Sequence, residues 1–179
     1  MTKCRLKYDA FMGESENSAL DLVSFADEDP GSELAAHLLS RYYDELDTRF
    51  PGGFDVERSA SAPIEDMRPP CGAFLVARVE GRPIGCGAVR KLDDTTAEIK
   101  RMWIDPVVRG QGIGRQLLSA LETAAHELGF LHVRLDTNAQ LPEAIALYRS
   151  SGYTAILAYS DNQYADFWFE KRDLGFDST

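Results

Sequence analysis

A glycine-rich segment, Arg109-Gly110-Gln111-Gly112-Ile113-Gly114, lies between a strand-like run and an amphipathic helix. The run at 97–104 is followed by Asp105-Pro106, and proline, which has no N–H to give to a ladder, ends the strand. After the segment, apolar residues recur at helical spacing until Gly129. The first amides of a helix have no internal partners, and glycines let an anion approach the backbone closely. The segment therefore predicts a binding site for a diphosphate.

Spacing excludes the two common nucleotide-binding patterns. A dinucleotide fingerprint needs G-x-G-x-x-G, but Arg115 stands three places after Gly112. A Walker loop needs Gly-Lys-Ser/Thr, and the segment continues as Gly-Ile-Gly-Arg instead.

The elements before the segment predict strands and one long helix. A first strand is expected at 19–26, and a helix capped by Ser32 at its start is expected to run to Phe50. Runs at 74–79, 84–89 and 97–104, separated by turn residues, predict an antiparallel meander.

The glycine-rich segment resembles the [Arg/Gln]-x-x-Gly-x-[Gly/Ala] signature of the GNAT superfamily of acyl-CoA-dependent N-acetyltransferases, with matches at Arg109, Gly112 and Gly114. Residues 144–153, Ala-Ile-Ala-Leu-Tyr-Arg-Ser-Ser-Gly-Tyr, are similar to that family's A-x-x-L-Y-x-x-x-G-[Phe/Tyr] pattern. The resemblance covers about half of the chain, residues 72–172. It implies a mixed α/β fold, with a mostly antiparallel sheet splayed between its fourth and fifth strands and flanked by helices. It also implies a parallel strand at 132–137, a helix at 142–151 and a hairpin at 153–156 and 165–171.

The resemblance further implies direct transfer of the acetyl group of acetyl-CoA to a primary amine. An amine with a pKa near 10.4 is about 3.4 units from neutrality at pH 7, a cost of about 4.6 kcal/mol, so a base should lie nearby. Glu98, in a Glu-Ile sequence similar to the place of the base in some protein-directed members, is the predicted base, and Asp136 is the alternative. Tyr148, where many members carry a general acid, is the predicted proton donor to the coenzyme A thiolate.

These two roles compete with structural interpretations. Glu98 could be a solvent-facing or salt-bridged strand residue, and Tyr148 could be a packed interior tyrosine whose hydroxyl bonds to backbone.

Further cofactor contacts are implied by the same resemblance. The backbone at 102–104 would pair with the pantetheine amides like an added strand, and two arginines would pair with phosphates. An asparagine after the fifth strand would contact the cofactor or a water, unless it is simply a turn residue. For Arg115, the alternative to a phosphate contact is a position on the solvated face of the helix. The predicted cofactor-binding set is Met102, Trp103, Ile104, Arg109, Gly110, Gln111, Gly112, Ile113, Gly114, Arg115 and Asn138.

The length, composition and charge of the chain limit the classes of protein to which it can belong. With 179 residues, 44% of them hydrophobic, the chain suits one well-buried domain, expected at 19–179 after a loose lead-in at 1–18. The sequence contains no apolar run of membrane-spanning length and no signal-peptide pattern, so a cytoplasmic protein without a membrane partner is expected. The net charge of −10 argues against nucleic acid and mildly favours a cationic acceptor.

Three cysteines and three histidines have no ligand spacing, so no metal site is expected, and Cys86 is interpreted as a small core residue. By the resemblance, residues 54–70 would line the acceptor side. The sequence does not choose between a small-molecule and a protein amine, and a homodimer is left open. The competing functional hypotheses are a catalytically weak acyl-CoA-binding regulatory module and a purely structural protein.

Overall fold

The computed structural model describes residues 23–59 and 62–175, in which seven strands form one sheet between helices. The lead-in predicted for residues 1–18 and the start of the first predicted strand lie outside the described residues. The strand order across the sheet is β1-β2-β3-β4-β5-β7-β6. The elements are β1 (Val23–Asp27), α1 (Glu33–Arg49), β2 (Gly72–Val79), β3 (Arg82–Lys91), β4 (Thr96–Ile104), α2 (Ile113–Glu127), β5 (His132–Thr137), α3 (Pro142–Ser150), β6 (Thr154–Ile156) and β7 (Phe167–Lys171), with short 3-10 helices at Ile64–Met67 and Pro106–Val108.

The sheet opens in its middle. β1 to β4 are antiparallel neighbours, whereas β4 and β5 run parallel and pair over three residues each, Thr96–Glu98 with His132–Arg134. Beyond Glu98 the two strands diverge, and this leaves a wedge-shaped cleft at their carboxyl ends. The predicted fold class, a mixed sheet splayed between its fourth and fifth strands and flanked by helices, is confirmed.

Side-chain alternation along the strands divides the core between the two faces of the sheet. On β2, Leu75 and Ala77 belong to the cluster under α2, while Phe74 and Val76 belong to the cluster under α1. The helix α2 packs closely, since a Cβ on Gly87 of β3 would lie only 2.6 Å from a methyl carbon of its residue Leu121. Within the described residues, no helix is both long and apolar enough to cross a membrane.

A bulge changes the face to which β4 side chains point. Before it, Ile99 belongs to the cluster under α2; after it, Trp103 belongs to the cluster under α1 and Ile104 to the α2 cluster. Two odd-numbered residues of one strand thus face opposite sides, as an extra residue between them requires. The irregularity is visible as a register shift against β3, and Arg101 within it has a φ of 55°. A left-handed backbone at a residue other than glycine is costly, so the fold holds Arg101 there against strain.

Candidate functional site

The glycine-rich segment forms an open cradle at the start of α2. Gly112 is the N-cap residue with a φ of 80°, and no side chain caps the helix. A Cβ added at Gly110 or Gly112 would meet nothing within 4 Å, so the space above these residues is empty. The first amides of α2 and the positive end of its dipole face this space, which suits an anion.

A cavity of about 550 Å³ extends from this cradle, and we call it the cradle cavity. It lies along the open edge of β4, between α1 and α3. Its lining includes Tyr42, Glu45, Leu46, Arg49, Met102, Trp103, Ile104, Arg109, Gly110, Gly112, Gly114, Arg115, Leu141, Glu143, Ala144, Ala146, Leu147, Tyr148 and Ser150. Most of the predicted cofactor-binding residues therefore share one cavity. Gln111 is exposed outside its lining, and the side chain of Ile113 is buried in the core.

The arginine side chains predicted to bind phosphates face protein groups. Arg109 places Nη1 and Nη2 at 2.8 and 2.6 Å from the two carboxylate oxygens of Glu45 on α1, and its Nε donates to the Ile104 carbonyl at 2.8 Å. Although burial opposes it, the bond from Arg109 holds the pKa of Glu45 below its usual value. Arg115 donates to the Ser150 hydroxyl at 2.8 Å and to its carbonyl at 3.2 Å. In this arrangement the loop offers an anion its backbone amides.

A smaller cavity of about 120 Å³ adjoins the first, and we call it the aromatic cavity. Rings from α1, from the loop after it and from the loop before β7 form one wall. Its lining is Tyr42, Tyr43, Leu46, Phe50, Phe54, Ser59, Ile99, Lys100, Arg101, Met102, Asp136, Thr137, Asn138, Leu141, Ala144, Tyr148, Asn162 and Tyr164. Six residues line both cavities, namely Tyr42, Leu46, Met102, Leu141, Ala144 and Tyr148. The two cavities therefore meet at these side chains, and Tyr148 is one of them.

Tyr148 of α3 is buried at this junction, with its ring centroid 5.9 Å from that of Tyr153 and 6.1 Å from that of Phe169. Its hydroxyl forms no hydrogen bond with any residue that the structure describes. Burial, reinforced by the carboxylate of Asp136, raises the pKa of Tyr148 well above that of a free phenol. The hydroxyl is therefore a protonated donor that is free to bond to a ligand.

Asp136 of β5 lies on the wall of the aromatic cavity. Its Oδ1 accepts from Asn162 Nδ2 at 3.0 Å, while Oδ2 is buried without a hydrogen-bond partner among the described residues. The nearest cation, Lys100 Nζ, is 3.7 Å from Oδ2. Burial raises the pKa of Asp136, Lys100 opposes the rise, and the carboxylate of Glu98 adds to it. A carboxylate with a raised pKa and an oxygen that accepts no hydrogen bond within the described residues is suited to accept a proton.

Glu98, the predicted base, lies away from both cavities. It is fully buried in β4, where Oε2 is 2.5 Å from Arg90 Nε, and Oε1 is 3.2 Å from Lys100 Nζ and 2.9 Å from the Tyr159 hydroxyl. Both carboxylate oxygens are thus occupied by donors from the protein. The predicted catalytic role of Glu98 stays a prediction, and its position is that of an ion-paired interior residue.

Asn138 lies on the aromatic cavity rather than on the cradle cavity. Its Nδ2 donates to the Tyr164 carbonyl at 2.7 Å and its Oδ1 accepts from the Gln140 amide at 2.8 Å. Both contacts shape the turn after β5. Of the segment at 54–70 expected on the acceptor side, Phe54 and Ser59 line this cavity.

Cys86 and the histidines add no chemistry to the site. The thiol of Cys86 is completely buried under α1, and burial raises its pKa to about 12, so it is a core residue. Across residues 23–59 and 62–175, no three His, Cys, Asp or Glu side chains are grouped so as to hold a metal ion.

Three contributors to the site carried no local signal in the sequence. Glu45 meets Arg109 across 64 residues, and Asn162 meets Asp136 across 26. Arg101 reaches the aromatic cavity because of the bulge in β4. Of these three, only Arg101 could have been placed approximately from the sequence, because it lies on the strand before the glycine-rich segment.

Comparison with known proteins gives consistent matches. Residues 39–153 match the model of the Acetyltransferase (GNAT) family. The chain is 33% identical over 132 residues to the IAA acetyltransferase of Azospirillum brasilense, covering 73% of this chain and 84% of the relative. It is 32% identical over 117 residues to the N-alpha-acetyltransferase RimI of Mycobacterium tuberculosis, covering 62% and 72%. A solved structure of a proposed acyl-CoA N-acyltransferase from Klebsiella pneumoniae superposes with a TM-score of 0.69 at 28% identity, over 87% of this chain and 99% of that one.

Proposed function

The chain belongs to the GNAT acetyltransferase family and is an acetyl-CoA-dependent N-acetyltransferase, and on that premise we propose how its two cavities divide the reaction. The cradle cavity takes acetyl-CoA and the aromatic cavity takes the amine acceptor. The single observation that carries this assignment is that the two cavities adjoin at Tyr148. The acetyl group then lies where its carbonyl carbon can be reached from the acceptor side.

The cradle cavity suits the donor by its backbone groups. The amides at the start of α2 would bind the diphosphate, with Gly110 and Gly112 leaving room for its oxygens. A Cβ on Gly114 would instead lie 3.7 Å from Leu147 Cδ2. The backbone of Met102–Ile104, which lies where β5 has already diverged from β4, would pair with the pantetheine amides. Because Arg109 is neutralised by Glu45, its role in this proposal is to fix the loop against α1.

Gly112→Ala is expected to weaken acetyl-CoA binding and to lower the free energy of unfolding by about 1–2 kcal/mol, the cost of a Cβ in left-handed backbone. Isothermal titration and chemical denaturation would measure the two effects. Gly81→Ala is the matched control, because Gly81 has the same φ of 80° in the β2–β3 turn and also open space around it. The control should lose stability but keep its affinity, and equal loss of affinity in both variants would contradict the cradle assignment.

In the proposed reaction the amine nitrogen attacks the thioester carbonyl carbon, the new C–N bond forms and the C–S bond breaks. Tyr148 gives its phenolic proton to the departing sulfur, since its hydroxyl is protonated and unbonded at the junction. Asp136 takes the proton that the amine nitrogen must lose. The proton taken up by Asp136 later returns to solvent and Tyr148 is reprotonated, so the cycle balances.

We assign the base to Asp136 in preference to Glu98 for two reasons. Asp136 lines the aromatic cavity and has an oxygen without a hydrogen-bond partner among the described residues, whereas Glu98 lines neither cavity and is bonded on both oxygens. Glu98 instead holds Lys100 at 3.2 Å and thereby limits how closely that ammonium neutralises Asp136. Glu98 is thus proposed as a positioning residue.

The function is tested by ligand-linked stability together with release of free thiol. Acetyl-CoA at a hundred times its dissociation constant should add about 2.7 kcal/mol to the free energy of unfolding. A panel of amines should then release coenzyme A thiol in step with acetylated product detected by mass spectrometry. Stabilisation without turnover on any amine would favour the alternative, an acyl-CoA-binding regulatory module.

The acceptor class, the cellular location and the assembly state belong to the proposal as well. We propose an amine of a small molecule or protein as acceptor and the cytoplasm as location, in keeping with the two free cysteines, Cys71 and Cys86, of the described residues. A homodimer stays a prediction.

A further inference from the structure

Arg101 is a cation of the aromatic cavity without a carboxylate partner. Its Nη2 donates to the Ala62 carbonyl at 2.9 Å and its Nη1 to Met67 Sδ at 3.1 Å, and no Asp or Glu of the described residues lies within 4.0 Å of it. The other cation in the cavity lining, Lys100, is paired with Glu98 at 3.2 Å and with Asp136 at 3.7 Å. An arginine side chain has five N–H donors, and these two bonds use two of them. Its fork matches a carboxylate in particular.

The backbone holds Arg101 in place at a cost. The φ of 55° lies in the left-handed region, where a long side chain is disfavoured by about 1–2 kcal/mol relative to ordinary backbone. The same bulge brings Lys100 and Arg101, adjacent in sequence, onto the lining of one cavity. Backbone strain of this kind clusters at ligand sites, although Glu80 and Asp173, with φ of 50° and 53°, lie outside both cavities.

The remainder of the cavity presents a carboxylate and an aromatic wall. Asp136 supplies the negative group, with Tyr148 beside it at the junction. The wall consists of stacked and tilted rings, with Phe54 5.7 Å from Tyr43 and 4.8 Å from Tyr164 between ring centroids. A ligand that uses all three features carries an ammonium group, a carboxylate and an apolar side chain.

The size of the cavity fits the same description. A volume of 120 Å³ is about ten times the room that a single water needs. A free amino acid with a ring or a branched side chain has about ten heavy atoms, which suits a cavity with room for about ten waters. An amino acid inside a folded protein could place only its side chain in the cavity. An N-terminal residue of a peptide would have no carboxylate for Arg101.

We propose that the acceptor is a free α-amino acid with an apolar side chain, whose carboxylate pairs with Arg101 while its amine faces Asp136 and Tyr148. This inference rests on the proposed acetyl transfer. The products are the N-acetyl amino acid and coenzyme A, with the C–N bond formed and the C–S bond broken as above. The amine proton goes to Asp136, and the thiolate receives its proton from Tyr148.

The test compares three acceptors that differ only at the carboxylate: phenylalanine, phenylalaninamide and phenethylamine. The wild-type protein should favour phenylalanine over phenethylamine by about a hundredfold in kcat/KM, because a site built to bind a polar group discriminates against the analogue that lacks it. Arg101→Gln should bring this ratio close to one, mainly by raising KM for phenylalanine. Arg101→Lys, which keeps the charge without the fork, should retain a ratio of about ten.

Arg68→Gln is the matched control. Arg101 contacts the 3-10 helix Ile64–Met67 through Met67, and Arg68 caps the end of that helix and anchors it to Asp29 outside both cavities. The control tests whether loosening this segment alone changes the ratio, and the ratio should stay as in the wild type. A ratio of one or below in the wild type, or an unchanged ratio in Arg101→Gln, would overturn the amino-acid inference and leave acetyl transfer standing. Failure of every amine to be acetylated would overturn the proposed function itself. Should Arg101→Gln not fold, the wild-type and Arg101→Lys ratios decide the matter.

Discussion

Tyr148→Phe is expected to lower kcat by about a hundredfold, the usual contribution of a positioned general acid. The phenylalanine ring keeps the packing against Phe169, so acetyl-CoA affinity should hardly change. Since the hydroxyl has no hydrogen bond to lose within the described residues, the free energy of unfolding should stay the same or rise slightly. Steady-state kinetics, titration calorimetry and thermal unfolding of the same preparation separate these three effects.

Tyr153→Phe is the matched control for this experiment. Its ring lies 5.9 Å from that of Tyr148, yet it lines neither cavity. The control should keep kcat within about twofold, as expected for a group that takes no part in the reaction. Equal rates for Tyr148→Phe and the wild type would remove Tyr148 from the mechanism, whereas an equal drop in both variants would point to packing of α3.

Asp136→Asn is expected to reduce kcat/KM at pH 7 by about a hundredfold and to remove one limb of the pH profile. In the wild type, activity should rise as Asp136 loses its proton. Burial raises the pKa of Asp136, Lys100 opposes the rise and Glu98 adds to it, so this rise should lie above the ordinary value of 3.8. The asparagine has no proton to lose, and its remaining pH dependence should follow the amine substrate alone. The measurement is kcat/KM against pH for both proteins.

The same substitution should increase stability at neutral pH. Below pH 3.8 the carboxyl is protonated in both the folded and the unfolded chain and has no effect on the balance. As pH rises above 3.8 the unfolded chain releases its proton first, which favours unfolding until the pH passes the raised pKa of the folded protein. Asp136→Asn escapes this penalty, so its gain in the free energy of unfolding should be present at pH 7 and shrink toward pH 3.

Glu98→Gln provides the comparison between the two carboxylates. It removes the nearer carboxylate partner of both Arg90 and Lys100 inside the protein and should cost about 3 kcal/mol or more of stability. Its pH profile should keep the limb of Asp136, moved to lower pH because a neighbouring negative charge is gone. If the limb vanishes in Glu98→Gln and survives in Asp136→Asn, Glu98 is the base, as its sequence neighbourhood predicts.

The parts of the fold and site that the sequence predicts well are those built from local patterns. Turn residues delimit β2, β3 and β4, and the spacing of Leu117, Leu118 and Leu121 defines the buried face of α2. The glycine-rich segment marks the cradle by its own composition, and the pattern around Tyr148 places that tyrosine on α3.

The parts that the sequence could not predict depend on distant contacts or on strand parity. Whether Arg109 binds a phosphate or a carboxylate depends on Glu45, which lies on another element. Glu98 and Asp136 are both acidic residues in strands, and their surroundings are set by which neighbours fold over them. The bulge at Arg101 reverses the alternation of β4, so counting by twos from Ile99 assigns Trp103 to the wrong face.

The short pairing of β4 with β5 affects how readily the protein associates with other chains. An unpaired strand edge is a template for association with other chains, and proteins usually protect such edges by placing them at the rim with charges or bulges. Here the free edge of β4 lies inside the sheet, covered by α1 on one side and α3 on the other. The space beside this edge is the cradle cavity of about 550 Å³, which residues of both helices line. The unpaired backbone N–H and C=O groups of β4 are thereby accessible to a small ligand, while their place inside the sheet protects them from pairing with a strand of another chain.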